Sequence, residues 1–252
     1  MPPPVRLPMR LPRLDALRGF ALLWMIAFHF AFDLAHLRLI EADFYRDPVW
    51  TGQRIAILSL FLLCAGLGQA AARAQGQPAA RFARRWLQIA GAALLVSAGS
   101  WLMFGPRYIH FGVLHGMALM LPLARWAAPL GHGLLPLAAL AVVLPLLWTG
   151  PDLAGRALDW LGLMARKPAT EDHVPLLPWL GPMLLGLWLG QCLLARAARC
   201  GRPGLLGGPL PAALQPLARL GRWSLSVYLL HQPLLMGGLM AGLALTRGSS
   251  GS

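Results

Sequence analysis

The chain has 252 residues, 57% of them hydrophobic and only 12% charged, and its apolar runs suit a hydrocarbon core about 30 Å thick, which excludes a water-soluble globular domain. The formal charge of +13 suggests a nucleic-acid partner only until each charge is assigned to a side of the membrane, when ordinary topology accounts for it. Cys64, Cys192 and Cys200 are odd in number and widely spaced, so no disulfide framework or zinc spacing exists.

The pattern predicts an all-α polytopic bundle of about seven transmembrane helices, at 14–35, 54–72, 86–104, 111–128, 134–149, 174–195 and 223–245. Helix is required because backbone polar groups in lipid must be satisfied within the segment. With the N-terminus cytoplasmic, the inner side collects the arginines of the N-terminal arm, of 73–85, Arg125, 196–202 and 219–222 against Asp15. The outer side is balanced, so the net charge sits inside, as the positive-inside rule expects.

Residues 1–13, "MPPPVRLPMRLPR", read as a disordered basic arm resting on anionic headgroups. The first span is too long for a signal-peptide core, contains Asp33 and lacks a clean cleavage site, so it is expected to stay attached. His29, Asp33 and His36 are spaced i, i+4, i+7 and share one face in its outer third. A charge at mid-bilayer costs about 2.5 to 3.5 kcal/mol on insertion scales, so such groups face protein or a water-filled cavity. A carboxylate one turn from an imidazole can fix its tautomer and orientation. The competing account is structural: His29 bonds a neighbouring helix and Asp33 pairs with an outer-loop arginine.

The fourth span opens with "RYIHFGVLHGMALM", 107–120. Tyr108 and His110 fit an interfacial anchor, whereas His115 lies a turn deeper beside Gly112 and Gly116, where a functional and a structural role fit equally. The outer loop from Thr149 to about His173 carries most of the outer acids. "TEDHVPLLPWLGP", 170–182, then supplies Glu171, Asp172, His173 and Trp179 among three prolines. It reads either as a cavity wall with Trp179 free to stack on a sugar, or as a proline-capped helix start with an aromatic belt.

"CGRPGLLGGPLPAALQP", 200–216, is a flexible inner linker. In "RWSLSVYLLHQPLLMG", 222–237, Ser224, Tyr228 and His231 share a face and Pro233 frees the carbonyl of Leu229. His231 near the midplane is a catalytic candidate or the partner of that freed carbonyl. No internal repeat or second domain is evident, so 14–245 reads as one transmembrane domain. The tail 246–252 ends in "GSSGS", an appended linker by its composition. The chain has no phosphate-binding glycine loop, GxSxG elbow, HExxH helix or CxxC pair, so a site would be built between helices.

At "RLDALRGFALLWMIAFHFAFDL", 13–34, the chain resembles the membrane-bound acyltransferase family that includes heparan-alpha-glucosaminide N-acetyltransferase, and within it the compact bacterial branch. The resemblance continues through "DFYRDPVW", "HFGVLHGMAL", "DHVPLLPWLGPMLLG" and "LGRWSLSVYLLHQPLL". It implies a multi-pass enzyme of the bacterial inner membrane that passes an acetyl group from cytosolic acetyl-CoA to a sugar or glycan on the periplasmic side. Arg84, Arg85, Arg219 and Arg222, with His231, are the candidates for the coenzyme A end, guanidinium forks being suited to phosphate oxygens. Topology alone would also place arginines there.

In the lysosomal enzyme the resemblance implies a catalytic His three residues before a Trp. Counting back from Trp50, Asp47 stands there. Either an acid replaces that base, or His29 and His115 take over the proton transfer, or this branch does different chemistry. The favoured expectation is the second, in which His29, oriented by Asp33, takes the acceptor's proton, His115 or Tyr108 donates to the carbonyl oxygen, and Asp47, Asp172 and Trp179 bind the acceptor. No metal or haem is expected, and the glycine-rich spans permit a homodimer. Two rivals stand beside this reading: a proton-coupled transporter or flippase using His29, Asp33 and His231, and a membrane cytochrome with His29, His115 and His231 as axial ligands.

Overall fold

The computed structural model describes residues 11–148, 158–164, 168, 170, 172–201 and 204–249. Most of the basic arm, residues 149–157, Glu171, residues 202 and 203 of the inner linker and the end of the tail lie outside the described residues. The long elements are helices: α1 (Pro12–His36), α2 (Pro48–Ala74), α3 (Ala79–Phe104), α4 (Val113–Ala127), α5 (Leu134–Leu147), α6 (Leu176–Cys200), the short α7 (Gly204–Gly207), α8 (Gln215–Arg222) and α9 (Ser224–Ser249). The fold is the expected all-α membrane bundle.

Among the described residues, six stretches are long and apolar enough to cross a membrane: 12–36, 48–74, 79–107, 113–147, 176–200 and 224–246. The difference from seven lies at 113–147, where a 3-10 turn over Ala128–Gly133, with Gly131 at φ 56 and ψ −117, separates α4 from α5. Packing against α6 shows what this turn does. Gly116 in α4 meets Val174 just before α6, and Ala128 after α4 accepts a hydrogen bond from Gln191 at 2.8 Å, so α4 runs parallel to α6. His132 then pairs with Trp188 at 3.1 Å, while Ala138 and Val142 of α5 meet Gly181, so α5 runs back. The stretch is two antiparallel helices joined by a reversal.

The chain divides into two compact units, one of residues 1–14 and 59–209, the other of 15–58 and 210–252. In the first, α2 and α6 pack backbone to backbone. A Cβ on Gly66 would strike the Met183 carbonyl, and one on Gly186 would strike the Leu63 carbonyl. Small residues are what allow such approach in lipid, where the hydrophobic effect does not drive helices together. Leu62, Leu67, Met183, Leu184 and Leu187 are fully buried around this seam. α3 runs antiparallel to α4: the Trp86 indole donates to the Ala118 carbonyl at 2.7 Å, and the Arg125 guanidinium lies 4.6 Å from the Phe82 ring centroid.

In the second unit α1 and α8 pack equally closely, since a Cβ on Gly19 would strike the Leu217 carbonyl and one on Gly221 the Asp15 carbonyl. The connection after α1 folds back on it through aromatic rings. Phe44 stacks on Trp50 at 4.1 Å and meets Phe28 and Phe32 edge-on, each at 5.4 Å. This explains much of "DFYRDPVW". Asp43 Oδ1 accepts the Tyr45 and Arg46 amides at 2.9 and 3.0 Å, Asp47 Oδ1 accepts the Val49 amide at 2.7 Å, and Pro48 opens α2 at a position where no amide is needed.

Candidate active site

In the second unit His29 on α1 faces His231 on α9. The rings stack with centroids 4.9 Å apart at 28°, and His29 Nδ1 lies 2.8 Å from His231 Nε2. His231 Nδ1 lies 2.7 Å from the Tyr228 carbonyl oxygen. A carbonyl only accepts, so His231 Nδ1 carries the proton, and a neutral imidazole then has a bare Nε2. His29 Nδ1–H must therefore donate to it. By elimination the lone pair of neutral His29 sits on Nε2, which makes no hydrogen bond among the described residues. The arrangement directs one basic nitrogen away from the pair and gives any positive charge formed there a path through a second imidazole to a carbonyl.

Asp33, one turn along α1, does not orient His29. It is fully buried and its Oδ1 accepts from Gln232 Nε2 at 2.7 Å. Its Oδ2 and Gln232 Oε1 are buried without a hydrogen-bond partner among the described residues. The orienting role expected of Asp33 falls to His231, and Gln232 is a partner that the sequence reading missed. Spacing alone does not give this pairing, because it depends on the register between α1 and α9, which sets both contacts at once: residues 29 and 33 are i and i+4 on α1, and 231 and 232 are adjacent on α9.

In the first unit His115 is engaged at both nitrogens. The Gly112 amide donates to its Nδ1 at 3.3 Å, which leaves Nε2–H to donate to Ser97 Oγ at 3.0 Å, and Ser97 Oγ donates to the Ile109 carbonyl at 2.7 Å. Asp172 Oδ2 accepts the Val113 amide at 2.9 Å. Together His115 and Asp172 satisfy the first amides of α4, as a capping box would, with the Asp supplied from a distant segment. A Cβ on Gly112 would push against the Asp172 carboxylate that accepts the Val113 amide.

Tyr108 packs edge-on against Trp101 at 4.9 Å, and its phenol makes no hydrogen bond among the described residues. Trp179 is half-buried on the second turn of α6, where Leu177, at φ −102 and ψ 134, interrupts the helix. Arg84 and Arg85 at the start of α3 and Arg219 and Arg222 at the end of α8 are exposed. For Arg219 and Arg222 the helix dipole gives a local reason for the placement, cations being favoured in a last turn. Thus His29, Asp33, Asp47, His231, Arg219 and Arg222 belong to one unit, and Tyr108, His115, Asp172, Trp179, Arg84 and Arg85 to the other.

Apolar helices long enough to span a bilayer, two of which carry a hydrogen-bonded, part-buried imidazole pair, define a multi-pass membrane protein. Residues 10–233 match the family model described as heparan-alpha-glucosaminide N-acetyltransferase, catalytic, and the chain belongs to that transferase family. No curated protein and no solved structure matches it.

Proposed function

We propose that the protein moves an acetyl group from acetyl-CoA to a hydroxyl or amine of a sugar or glycan, the donor approaching from the cytoplasm and the acceptor from the periplasmic side of a bacterial inner membrane. The observation that carries this reading is the pairing of His29 with His231, which leaves Nε2 of His29 as a base. The acceptor's O–H or N–H proton passes to His29 Nε2 as its heteroatom attacks the thioester carbon. The C–S bond then breaks, and the coenzyme A thiolate leaves and takes the proton from His29 Nε2, which returns to its neutral form. His231 holds the His29 tautomer and shares the imidazolium charge, which its hydrogen bond to the Tyr228 carbonyl stabilises. Direct transfer of this kind needs no acyl-enzyme.

The donor's phosphates suit guanidinium groups, and the two candidate pairs, Arg84 with Arg85 and Arg219 with Arg222, are separable by mutation. The concentration of arginine on the side assigned to the cytoplasm supports that direction of transfer. The test is transfer of labelled acetyl from acetyl-CoA to a panel of amino sugars and glycans by purified protein in proteoliposomes. Acceptor-dependent transfer that His29→Ala abolishes is expected. Intact, folded protein that neither binds acetyl-CoA nor transfers the label would overturn the reading.

A further inference from the structure

Away from the residues used above, His110, Asp159 and His173 converge from three segments that are distant in sequence: the connection before α4, the turn Asp159–Leu161, and the lead-in to α6. One ligand atom from each lies within 4.8 Å of the others. We propose that these three residues bind a divalent transition metal of the zinc class. The inference is independent of the acyltransfer reading.

The first support is electrostatic. Asp159 is 2% exposed, and its carboxylate pairs with His110 Nε2 at 2.6 Å, with no lysine or arginine beside it among the described residues. A buried carboxylate paired with an imidazole, which is charged only when protonated, is a weakly compensated charge, and a cation shared by the same groups would compensate it further.

The second support is preorganisation. The backbone flanking His110 is fixed on both sides: the Ile109 amide donates to Ser100 Oγ at 2.9 Å, and the Val174 amide donates to the Phe111 carbonyl at 2.9 Å, next to the Phe111–His173 bridge. Thr170 Oγ1 donates to the Tyr108 carbonyl at 2.7 Å. His110 and His173 are thus presented by backbones bonded to each other.

The third support is the donor set. Two imidazoles and one carboxylate suit zinc and its neighbours, whereas calcium and magnesium take oxygen ligands. Tetrahedral bonds of about 2.0 to 2.1 Å place ligand atoms roughly 3.3 Å apart, so side-chain rotations alone close the set. On binding, the His110 proton moves from Nε2 to Nδ1 and Nε2 becomes the ligand. Three protein ligands leave a fourth position for water. The ion would clasp the lead-in to α4 to the Asp159 turn and the start of α6. Sequence spacing gave no hint, because none of the three residues is near another along the chain.

The test is titration of chelator-treated, full-length protein in detergent with Zn²⁺ by calorimetry and with Co²⁺ by visible absorption. Stoichiometric Zn²⁺ binding that Mg²⁺ does not displace is expected, together with intense cobalt bands of a four-coordinate nitrogen and oxygen site. Both should be lost in His173→Ala and Asp159→Asn and kept in His132→Ala, whose ring bonds Trp188 instead. Absence of stoichiometric Zn²⁺ binding by folded protein, or binding undiminished in both variants, would overturn the proposal. Should a variant fail to fold, the wild-type cobalt spectrum decides, since a weak six-coordinate spectrum also overturns it.

Discussion

His29 Nδ1 donates to His231 Nε2 across 2.8 Å, and His231 in turn donates to the carbonyl of Tyr228, three residues before it on the same helix, at 2.7 Å. One carbonyl therefore sets the tautomer of an imidazole on another helix. In the proposed reaction the first would exchange a proton with the acceptor, and the second would position it.

Substitution of each should separate these roles. His29→Ala is expected to lower kcat by about 10²- to 10⁴-fold, the usual worth of a general base. His231→Ala leaves the base present but misoriented and should cost roughly 10- to 100-fold, with KM for the acceptor little changed. The double variant should be no slower than His29→Ala, because groups that act as a unit are not additive. Steady-state kinetics of the three proteins would check this, and a wild-type rate in His231→Ala would remove His231 from the mechanism.

The helical passes were legible in sequence because a span announces itself by apolar length, and the family motifs lay in or beside those spans. The reversal at Gly131 was legible too, as a gap between two predicted spans, although apolar length alone merges them. Side-chain pairing was not. Periodicity placed His29 and Asp33 on one face of α1, but it could not say that His231 would meet the first and Gln232 the second, because that depends on the register of two helices far apart in the chain. The same limit hid the service of Asp172 to the start of α4, 59 residues earlier in the chain.

Close helix approach predicts where a methyl group is not tolerated. Gly19→Ala places a Cβ against the Leu217 carbonyl, a backbone atom that cannot rotate away, whereas Gly52→Ala meets nothing within 4 Å. The first should destabilise by about 1 to 3 kcal/mol, as overpacking does. The second should be neutral or stabilising by up to about 1 kcal/mol from helix propensity. Thermal unfolding of the two variants in the same detergent measures the contrast, and equal stability would contradict the α1–α8 contact.

His115 is expected to matter more to stability than to turnover. Its ring joins the Gly112 amide to Ser97, so His115→Ala strands the Gly112 amide, at a cost of about 1 to 3 kcal/mol, and removes the donor to Ser97 Oγ, whose own O–H still reaches the Ile109 carbonyl. Ser97→Ala, which removes the far end of the same chain of bonds, should lower the melting temperature in the same direction. Acetyl transfer by folded His115→Ala should stay well above that of His29→Ala. Equal inactivation would instead assign the ring to catalysis.

Asp47 offers a discrimination by chemistry rather than by position. Its carboxylate accepts the Val49 amide at 2.7 Å, with Pro48 following, as an N-cap residue does at the start of α2. A cap is a matter of an acceptor oxygen, not of charge, so Asp47→Asn and Asp47→Ser should fold and transfer acetyl normally, while Asp47→Ala should lose about 1 kcal/mol of stability. If Asp47 instead serves as a base or binds the acceptor through its charge, Asp47→Asn will be stable yet impaired. Melting temperature and initial rate measured on the same three variants separate the two roles, since the cap predicts a lower melting temperature in Ala alone and an unchanged rate in Asn.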